Sequence, residues 1–376
     1  MASDVTVVVG GGIVGLACAY ELASGGHAVH VLDRSTIGTG SSAGNAGWVT
    51  LSQCYPVPSP DSVRTALRSV GRAESPLYVR PSLSPAFLRW LYEFRRFCDR
   101  PSFTRGATVL ARLAEDAVEH YEKWQRDGID TTLTRPGLVH AFLDEDEAHR
   151  TLALQRSIAG HRFTVPERPL SGHEILELEP SLRGWGVRSA YLVEDESLVN
   201  PLSLVGSLSE RLRALDVEIA EHCSVSGFLV EGRQVRTVIA NGEPLDCARV
   251  VVASGAWSAE VLARLGVPLR MQTGKGYSFS VHLPTPPQRP LYLGDRHVAV
   301  SPLGSATRIA GTMEFSGNNL RLDWRRVEAI AQASRHYLGD WFENDDELIG
   351  LIGHPWVGGR PMVPDGLPLI DRVPGL

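Results

Sequence analysis

Apolar and polar positions along this chain change period at a few sharp corners. Residues 5–9 are uniformly β-favouring and run straight into Gly10-x-Gly12-x-x-Gly15, after which helix formers continue to Ala23. A short apolar run, a glycine corner and a 3.6-residue period predict strand, tight turn and helix. A second strand is predicted over 28–32, ending at Asp33-Arg34. The pattern then leaves the plain βαβ repeat for a small-residue run over 38–47, which includes Ser41, Ser42, Asn45, Ala46 and Gly47. Prolines at 56, 58 and 60 mark a crossover. Aromatic and leucine positions over 85–97 and again over 107–124 recur at helical spacing. Further on, a strand is predicted over 135–143, a polar helix over 144–154, the end of a helix at Glu179-Pro180 and a long helix opening at Asn200-Pro201. Short strands follow around 217–219, 223–225 and the turn Glu231-Gly232, with a hairpin signal at Asn241-Gly242. The strand 249–253 runs into Ser254-Gly255-Ala256-Trp257, and a helix is predicted through Leu265. Strands are predicted at 298–300 and 308–310, the acidic stretch 343–347 as a solvated turn, and the Gly-Gly-Arg360-Pro segment as stiff, tightly placed backbone.

The first corner carries recognisable chemistry. Gly10 permits the sharp turn, Gly12 holds no side chain between backbone and a pyrophosphate, and Gly15 lets the helix press on the strand. The helix N-terminus at Ile13 and Val14 presents unpaired N–H groups and a positive dipole end to phosphates. Asp33 is placed to accept ribose hydroxyls. Ala253-Ser254-Gly255 forms a second close-approach corner at a strand's C-terminal end, and two such corners suit one extended ligand gripped from both sides. Arg360, between Gly-Gly and Pro, offers a planar fork that suits a carboxylate.

Composition narrows the class. The chain has 376 residues, 43% hydrophobic and 21% charged, and a net charge of −6. That length predicts two domains, and the absence of a basic run argues against a nucleic-acid partner. The five cysteines are scattered and outside any metal-knuckle spacing, so no metal site is expected and a reducing, cytoplasmic compartment is. His27 and His30 read as structural. A signal peptide is excluded by Asp4 and Glu21 around the first apolar run, and a membrane span by its glycines. For the 85–97 helix, core packing competes with peripheral contact with the inner face of a membrane, because Arg89, Arg95 and Arg96 flank its aromatics.

Together these motifs resemble the D-amino-acid oxidase superfamily of flavoproteins, and within it the bacterial D-amino-acid dehydrogenases. The resemblance rests on Gly10-x-Gly12-x-x-Gly15 with Asp33 and on the segment from Ser42 to Gly47. It continues with 252–258, Lys275-Gly276-Tyr277-Ser278, Gly311-Thr-Met-Glu314, and Gly359-Arg360-Pro361 ahead of Asp365-Gly366. It implies an α/β fold with a glutathione-reductase-like, Rossmann-type FAD domain (residues 1–58, 172–265 and 354–376) and a substrate domain on an antiparallel sheet (59–171 and 266–353). It also implies non-covalent FAD held at the first corner, at Asp33-Arg34, at the Ser41–Gly47 loop, near Val225, at Ala253, Ser254, Gly255 and Trp257, and at Asp365-Gly366. Arg360 would hold the substrate carboxylate, Tyr277 would border the flavin and Lys275 would support charge on it. The reaction implied is hydride transfer from Cα of a small (D-)amino acid to flavin N5. The imino acid then hydrolyses to a 2-oxo acid and ammonia, and the electrons pass to a quinone, another carrier or oxygen. Alternatives are an oxygen-using amine oxidase of glycine or sarcosine type, a non-catalytic flavin-binding remnant, and an NAD enzyme, the last disfavoured by the Ser/Gly/Asn loop. The family pattern departs at Val363, where threonine is usual. It also carries a further strand, glycine turn and helix beyond the position of Leu376, so part of the flavin edge is expected from residues this sequence does not contain.

Overall fold

The computed structural model describes residues 4–62, 75–80, 82–160, 162–183, 186–373 and 375–376; residues 1–3, 63–74, 81, 161, 184–185 and 374 of the expected domains lie outside that set. The chain opens as its pattern predicts, with β1 (Thr6–Val9), α1 (Ile13–Ser24) and β2 (Val29–Leu32). A short β3 (Trp48–Val49) and β4 (Leu77–Val79) precede α2 (Pro85–Arg96), α3 (Arg100–Ala114) and α4 (Ala117–Arg126). Then come β5 (Leu138–Phe142), α5 (Glu145–Ala159), α6 (His173–Leu178), β6 (Ser189–Val193), β7 (Ser197–Leu198) and α7 (Pro201–Ala214). Next are β8 (Glu218–Ala220), β9 (Val225–Glu231), β10 (Gln234–Ala240), β11 (Glu243–Asp246), β12 (Arg249–Val252) and α8 (Ser258–Ala263). The last third holds β13 (Gln272–Val281), β14 (Leu291–Leu293), β15 (Val298–Leu303), β16 (Ala306–Phe315), α9 (Trp324–Leu338), α10 (Asp345–Ile352) and β17 (Trp356–Met362).

Two sheets carry the architecture. The parallel order β12-β1-β2-β8 is the Rossmann layer, with Val7, Val8 and Val31 fully buried beneath α1 and the β9–β11 ribbon. The mixed, mainly antiparallel order β17-β13-β16-β15-β14-β5-β6 forms the second layer, with β4 joined in parallel to β16. α9 and α10 cover one face of this larger sheet through Val327, Ile330, Leu348 and Ile352. Strand membership departs from the expected domain boundaries in two places: β6 and β17, both within segments assigned to the FAD domain, lie in the larger sheet.

Helix starts follow side-chain chemistry. Ser84, Asp99, Asp144, Asn200, Asp323 and Asn344 each accept a backbone N–H from the first turn of the helix that follows, a contribution of about 1 kcal/mol apiece. This corrects the acidic stretch 343–347: Asn344 caps α10, and Asp345, Asp346 and Glu347 occupy its first turn, where the helix dipole favours them. The stretch 107–124 is likewise two helices, broken at Glu115–Asp116. In α2 the stripe Phe87, Trp90 and Phe94 turns inward against Phe315 and Met362, while Leu88 and Tyr92 stay exposed. Among the described residues no helix is long and apolar enough to cross a membrane.

One buried group makes stability depend on pH. His140 on β5 is fully buried, stacks on Tyr191 at 4.7 Å between centroids, and is held by that burial to a pKa of about 3. The unfolded chain takes up this proton near the ordinary histidine value while the fold refuses it, so stability falls as pH drops between the two. His140 alone is expected to contribute a slope of about 1.4 kcal/mol per pH unit. Urea unfolding of His140→Phe between pH 6 and 4 should show that much less slope than the parent, and an unchanged slope refutes the assignment.

Candidate active site

The first glycine corner abuts the second. Gly10 has φ 115°, which glycine alone adopts without strain. A Cβ there would lie 2.5 Å from the Ala253 carbonyl oxygen and 2.8 Å from Ser254 Cα. A Cβ on Gly15 would stand 1.8 Å from the Gly10 carbonyl oxygen, which measures how closely α1 presses on the turn. Gly12 meets only Ser42 Oγ, at 3.3 Å, and a Cβ on Gly255 would meet nothing within 4 Å. The paired corners therefore leave backbone uncovered at Gly12 and Gly255, and Val14 in the first turn of α1 is well exposed.

Residues from the ends of β2 and β12 gather beside them. The Asp33 carboxylate accepts from Gly11 N at 2.7 Å and Ser35 N at 2.8 Å, which leaves lone pairs on both oxygens. The Arg34 guanidinium lies over Trp257, 3.8 Å from the ring centroid. Val225 opens β9 two residues past Cys223, whose N–H donates to the Asp33 carbonyl.

The loop 38–47 joins this groove to the larger sheet. Ser42 Oγ accepts from Ile13 N at 2.9 Å, at the start of α1. Asn45 folds the loop on itself, donating to the Ser42 carbonyl and accepting from Gly47 N. Ser41 Oγ donates to the Gly359 carbonyl on β17, and Gly359 in turn packs on Ala256 of the second corner. From the sheet, Ser301 Oγ donates to the Ala46 carbonyl and Arg308 to the Ala43 carbonyl. Asp365 accepts from Leu367 N, and Gly366 sits against Pro56 and Pro58.

Strand alternation then sorts the groups expected to do chemistry. β13 pairs with β17 so that Arg360 faces Gly274, and Gly276 faces Gly358; paired residues share a face. The Arg360 guanidinium lies where a Gly276 side chain would be, 2.7 Å from the position of its Cβ. Arg360 is thus on a strand, over a bed of residues without side chains. It donates to the Thr312 carbonyl at 3.0 Å and approaches Met313 Sδ at 3.6 Å. Among the described residues no carboxylate lies within ion-pair distance of it. Trp356, on the same face, is wedged between Gly44 and Gly358.

Lys275 and Tyr277, expected at the flavin, lie on the face of β13 opposite Arg360. They occupy the alternate positions of β13 and are 2% and 1% exposed. Lys275 Nζ is 2.8 Å from Glu314 Oε1, and the Tyr277 hydroxyl donates to Glu314 Oε2 at 2.7 Å. Burial works to raise the Glu314 pKa, but the bonds from Lys275, Ser316 and Tyr277 together outweigh it and hold the carboxyl below its usual range. Burial first, and then the Glu314 carboxylate, push the Tyr277 phenol well above its ordinary value. The two-residue period of a strand accounts for the split: a motif read as a contiguous block is divided between two faces. Arg308, Thr312 and Trp356 are site neighbours that motif reading missed. The signal for them was available, since Arg308, Ala310 and Thr312 alternate as Gly274, Gly276 and Ser278 do.

Comparisons with known proteins identify the family. The family model described as FAD dependent oxidoreductase matches residues 6–376. The chain is 30% identical to D-amino acid dehydrogenase 2 of Ralstonia nicotianae, over 98% of this chain and 88% of that one. It is 29% identical to D-amino acid dehydrogenase of Dechloromonas aromatica, over 97% and 88%. In fold it is similar to glycine oxidase from Geobacillus kaustophilus, with a TM-score of 0.70 at 23% identity, covering 99% of this chain and 87% of that one. With that match over nearly its whole length, the chain belongs to the DAO family and is an FAD-dependent oxidoreductase.

Proposed function

We propose that this enzyme oxidatively deaminates a small D-amino acid, as the names of its dehydrogenase relatives suggest. The observation that carries the reading is Arg360: a guanidinium on a glycine bed, bonded to one carbonyl and, among the described residues, without a carboxylate partner. An arginine so placed is equipped to take a carboxylate on its free N–H groups.

The residues present fit FAD. Gly12 and Gly255 leave backbone open to a pyrophosphate, Asp33 keeps acceptor capacity for ribose hydroxyls, and Ile13 and Val14 begin the helix whose dipole favours phosphate. Ser41, Ser42, Asn45, Ala46 and Gly47 continue from there to β17, with Arg34, Trp257, Val225, Ala253, Ser254, Asp365 and Gly366 completing the candidate contacts. When bound, FAD supplies the two-electron acceptor. Arg360 supplies orientation, holding the carboxylate so that the substrate presents one face, which is where most of the rate gain would arise. The substrate amine must be neutral to give up a hydride equivalent, and the imine product is hydrolysed by water. Glu314 cannot compete for Arg360 because it lies across the sheet. A quinone, another carrier or oxygen would take the electrons.

The test is spectroscopic. Under anaerobic conditions, D-alanine added to the FAD-loaded protein should bleach the flavin absorbance, and a quinone should restore it. Admission of air, with peroxide assayed, separates dehydrogenase from oxidase behaviour. If no amino acid bleaches the bound flavin, the proposal is wrong.

A further inference from the structure

Strand β16 carries one residue more than β13 beside Arg360. Between the pairs Lys275–Glu314 and Tyr277–Gly311, Thr312 and Met313 stand against Gly276 alone. That is a β-bulge, a device that bends a strand and re-aims its groups. Thr312 has φ 63°, a region where a β-branched side chain is strained by roughly 1–3 kcal/mol. The bulge delivers two ligands to one target: the Thr312 carbonyl and Met313 Sδ both meet Arg360 Nη1. Gly276, across from it, vacates the space that the guanidinium fills.

A strained bulge needs an anchor, and one stands directly behind it. Glu314, 5% exposed, receives Lys275 at 2.8 Å, Tyr277 at 2.7 Å and Ser316 at 2.5 Å. Lys275 and Tyr277 are the two β13 residues that bracket the bulge. Their bonds converge on a single carboxylate of β16 and so fix both ends of the irregular step. Lys275 is itself held further, by the Arg321 carbonyl at 3.1 Å.

We infer that Glu314, with Lys275 and Tyr277, acts from the far side of the sheet as a positioning group, locking the Thr312 bulge so that Arg360 is aimed at a substrate carboxylate. The inference rests on the carboxylate role proposed for Arg360. Thr312 and Glu314 touch neither cofactor nor substrate in this account; they act through Arg360.

The experiment compares D-alanine with its amide, which keeps the amine and Cα–H but lacks the carboxylate, on FAD-loaded enzyme. Glu314→Gln is expected to raise KM for the acid about tenfold, with kcat changed far less and the amide unaffected. Because Glu314→Gln leaves the Lys275 ammonium buried beside a neutral group, Tyr277→Phe is measured in parallel. It removes one hydroxyl, spares the ion pair and should shift the acid in the same direction by a smaller factor. An equal loss on acid and amide means that the cluster is merely structural and overturns the inference, as does an unchanged KM for the acid in both variants. Arg360→Met in the same assay separates the two readings. If it leaves the acid-to-amide ratio untouched, the carboxylate role itself falls. If it collapses the ratio while Glu314→Gln and Tyr277→Phe do not, only the positioning role falls.

Discussion

Gly15→Ala is expected to cost this protein its Rossmann layer, whereas Gly12→Ala, three residues earlier, should cost it only the cofactor. At Gly15 the new methyl would sit 1.8 Å from the Gly10 carbonyl oxygen. Both partners are backbone, so neither can rotate away: α1 must lift off β1, or the corner must open. Opening the corner is resisted by Ala253, whose carbonyl already touches the Gly10 position. Overpacking of this kind ordinarily costs about 1–3 kcal/mol, and a clash between two backbones belongs at or beyond the upper end. At Gly12 the added methyl meets only Ser42 Oγ, at 3.3 Å, which a small rotation relieves. The fold should therefore survive with a melting temperature near that of the parent, while FAD affinity drops because the methyl stands where a pyrophosphate would approach the backbone. Urea unfolding and flavin fluorescence titration on both variants decide the matter. Parent-like FAD affinity in Gly12→Ala would place the pyrophosphate elsewhere.

The contrast between those glycines also shows what could be read from the sequence and what could not. Wherever a local rule acts on neighbouring residues, the reading and the structure coincide. The apolar run into Gly10 gives β1, Asn200-Pro201 opens α7, and Asn241-Gly242 turns β10 into β11. Where the deciding contact is non-local, the reading slips. Asn344 and the acids after it could be a turn or a helix start, and α10 is settled by the packing of Leu348 and Ile352 on the larger sheet. Arg360 was legible as an arginine suited to a carboxylate, but not as a strand residue, because its pairing partner lies 86 positions away at Gly274. Lys275-Gly276-Tyr277-Ser278 is the sharpest case. The block was legible as a unit, yet pairing with β16 and β17 sends its even positions towards Arg360 and its odd positions towards Glu314. Function therefore divides along one strand: Gly276 leaves the guanidinium its space and Ser278 ties the same face to the Gly44 carbonyl, while Lys275 and Tyr277 hold the sheet from behind.

That division sets the second large effect. Arg360→Met should lower kcat/KM for a D-amino acid about a hundredfold, as expected when a charge-assisted pair to substrate is removed, with FAD binding unchanged. Gly276→Ala should approach that loss without touching Arg360 in sequence. The backbone at Gly276 is ordinary extended strand, so alanine fits there and pairing with β16 and β17 persists. The methyl, however, would lie 2.7 Å from Arg360 Nη2 and 2.9 Å from Cζ. The guanidinium is the free end of a flexible side chain, so it gives way cheaply, and stability should change by well under 1 kcal/mol. What it loses is its place: a shift of about 1 Å breaks the bond to the Thr312 carbonyl and spoils the carboxylate geometry, which can cost up to about a hundredfold in rate. Gly274→Ala is the milder counterpart: there the methyl meets Met313 Sδ at 2.4 Å, so it displaces the weaker of the two Arg360 contacts while the Thr312 carbonyl stays in place, and the loss should be smaller than for Gly276→Ala. The decisive measurement is the double variant. If Gly276→Ala works through Arg360, it adds nothing once Arg360 is methionine, and the coupling between the two equals nearly the whole effect of the glycine change. If instead the methyl lowers kcat/KM as much in the Arg360→Met background as in the parent, it acts on the cofactor or the sheet, and the glycine bed is not what places the guanidinium.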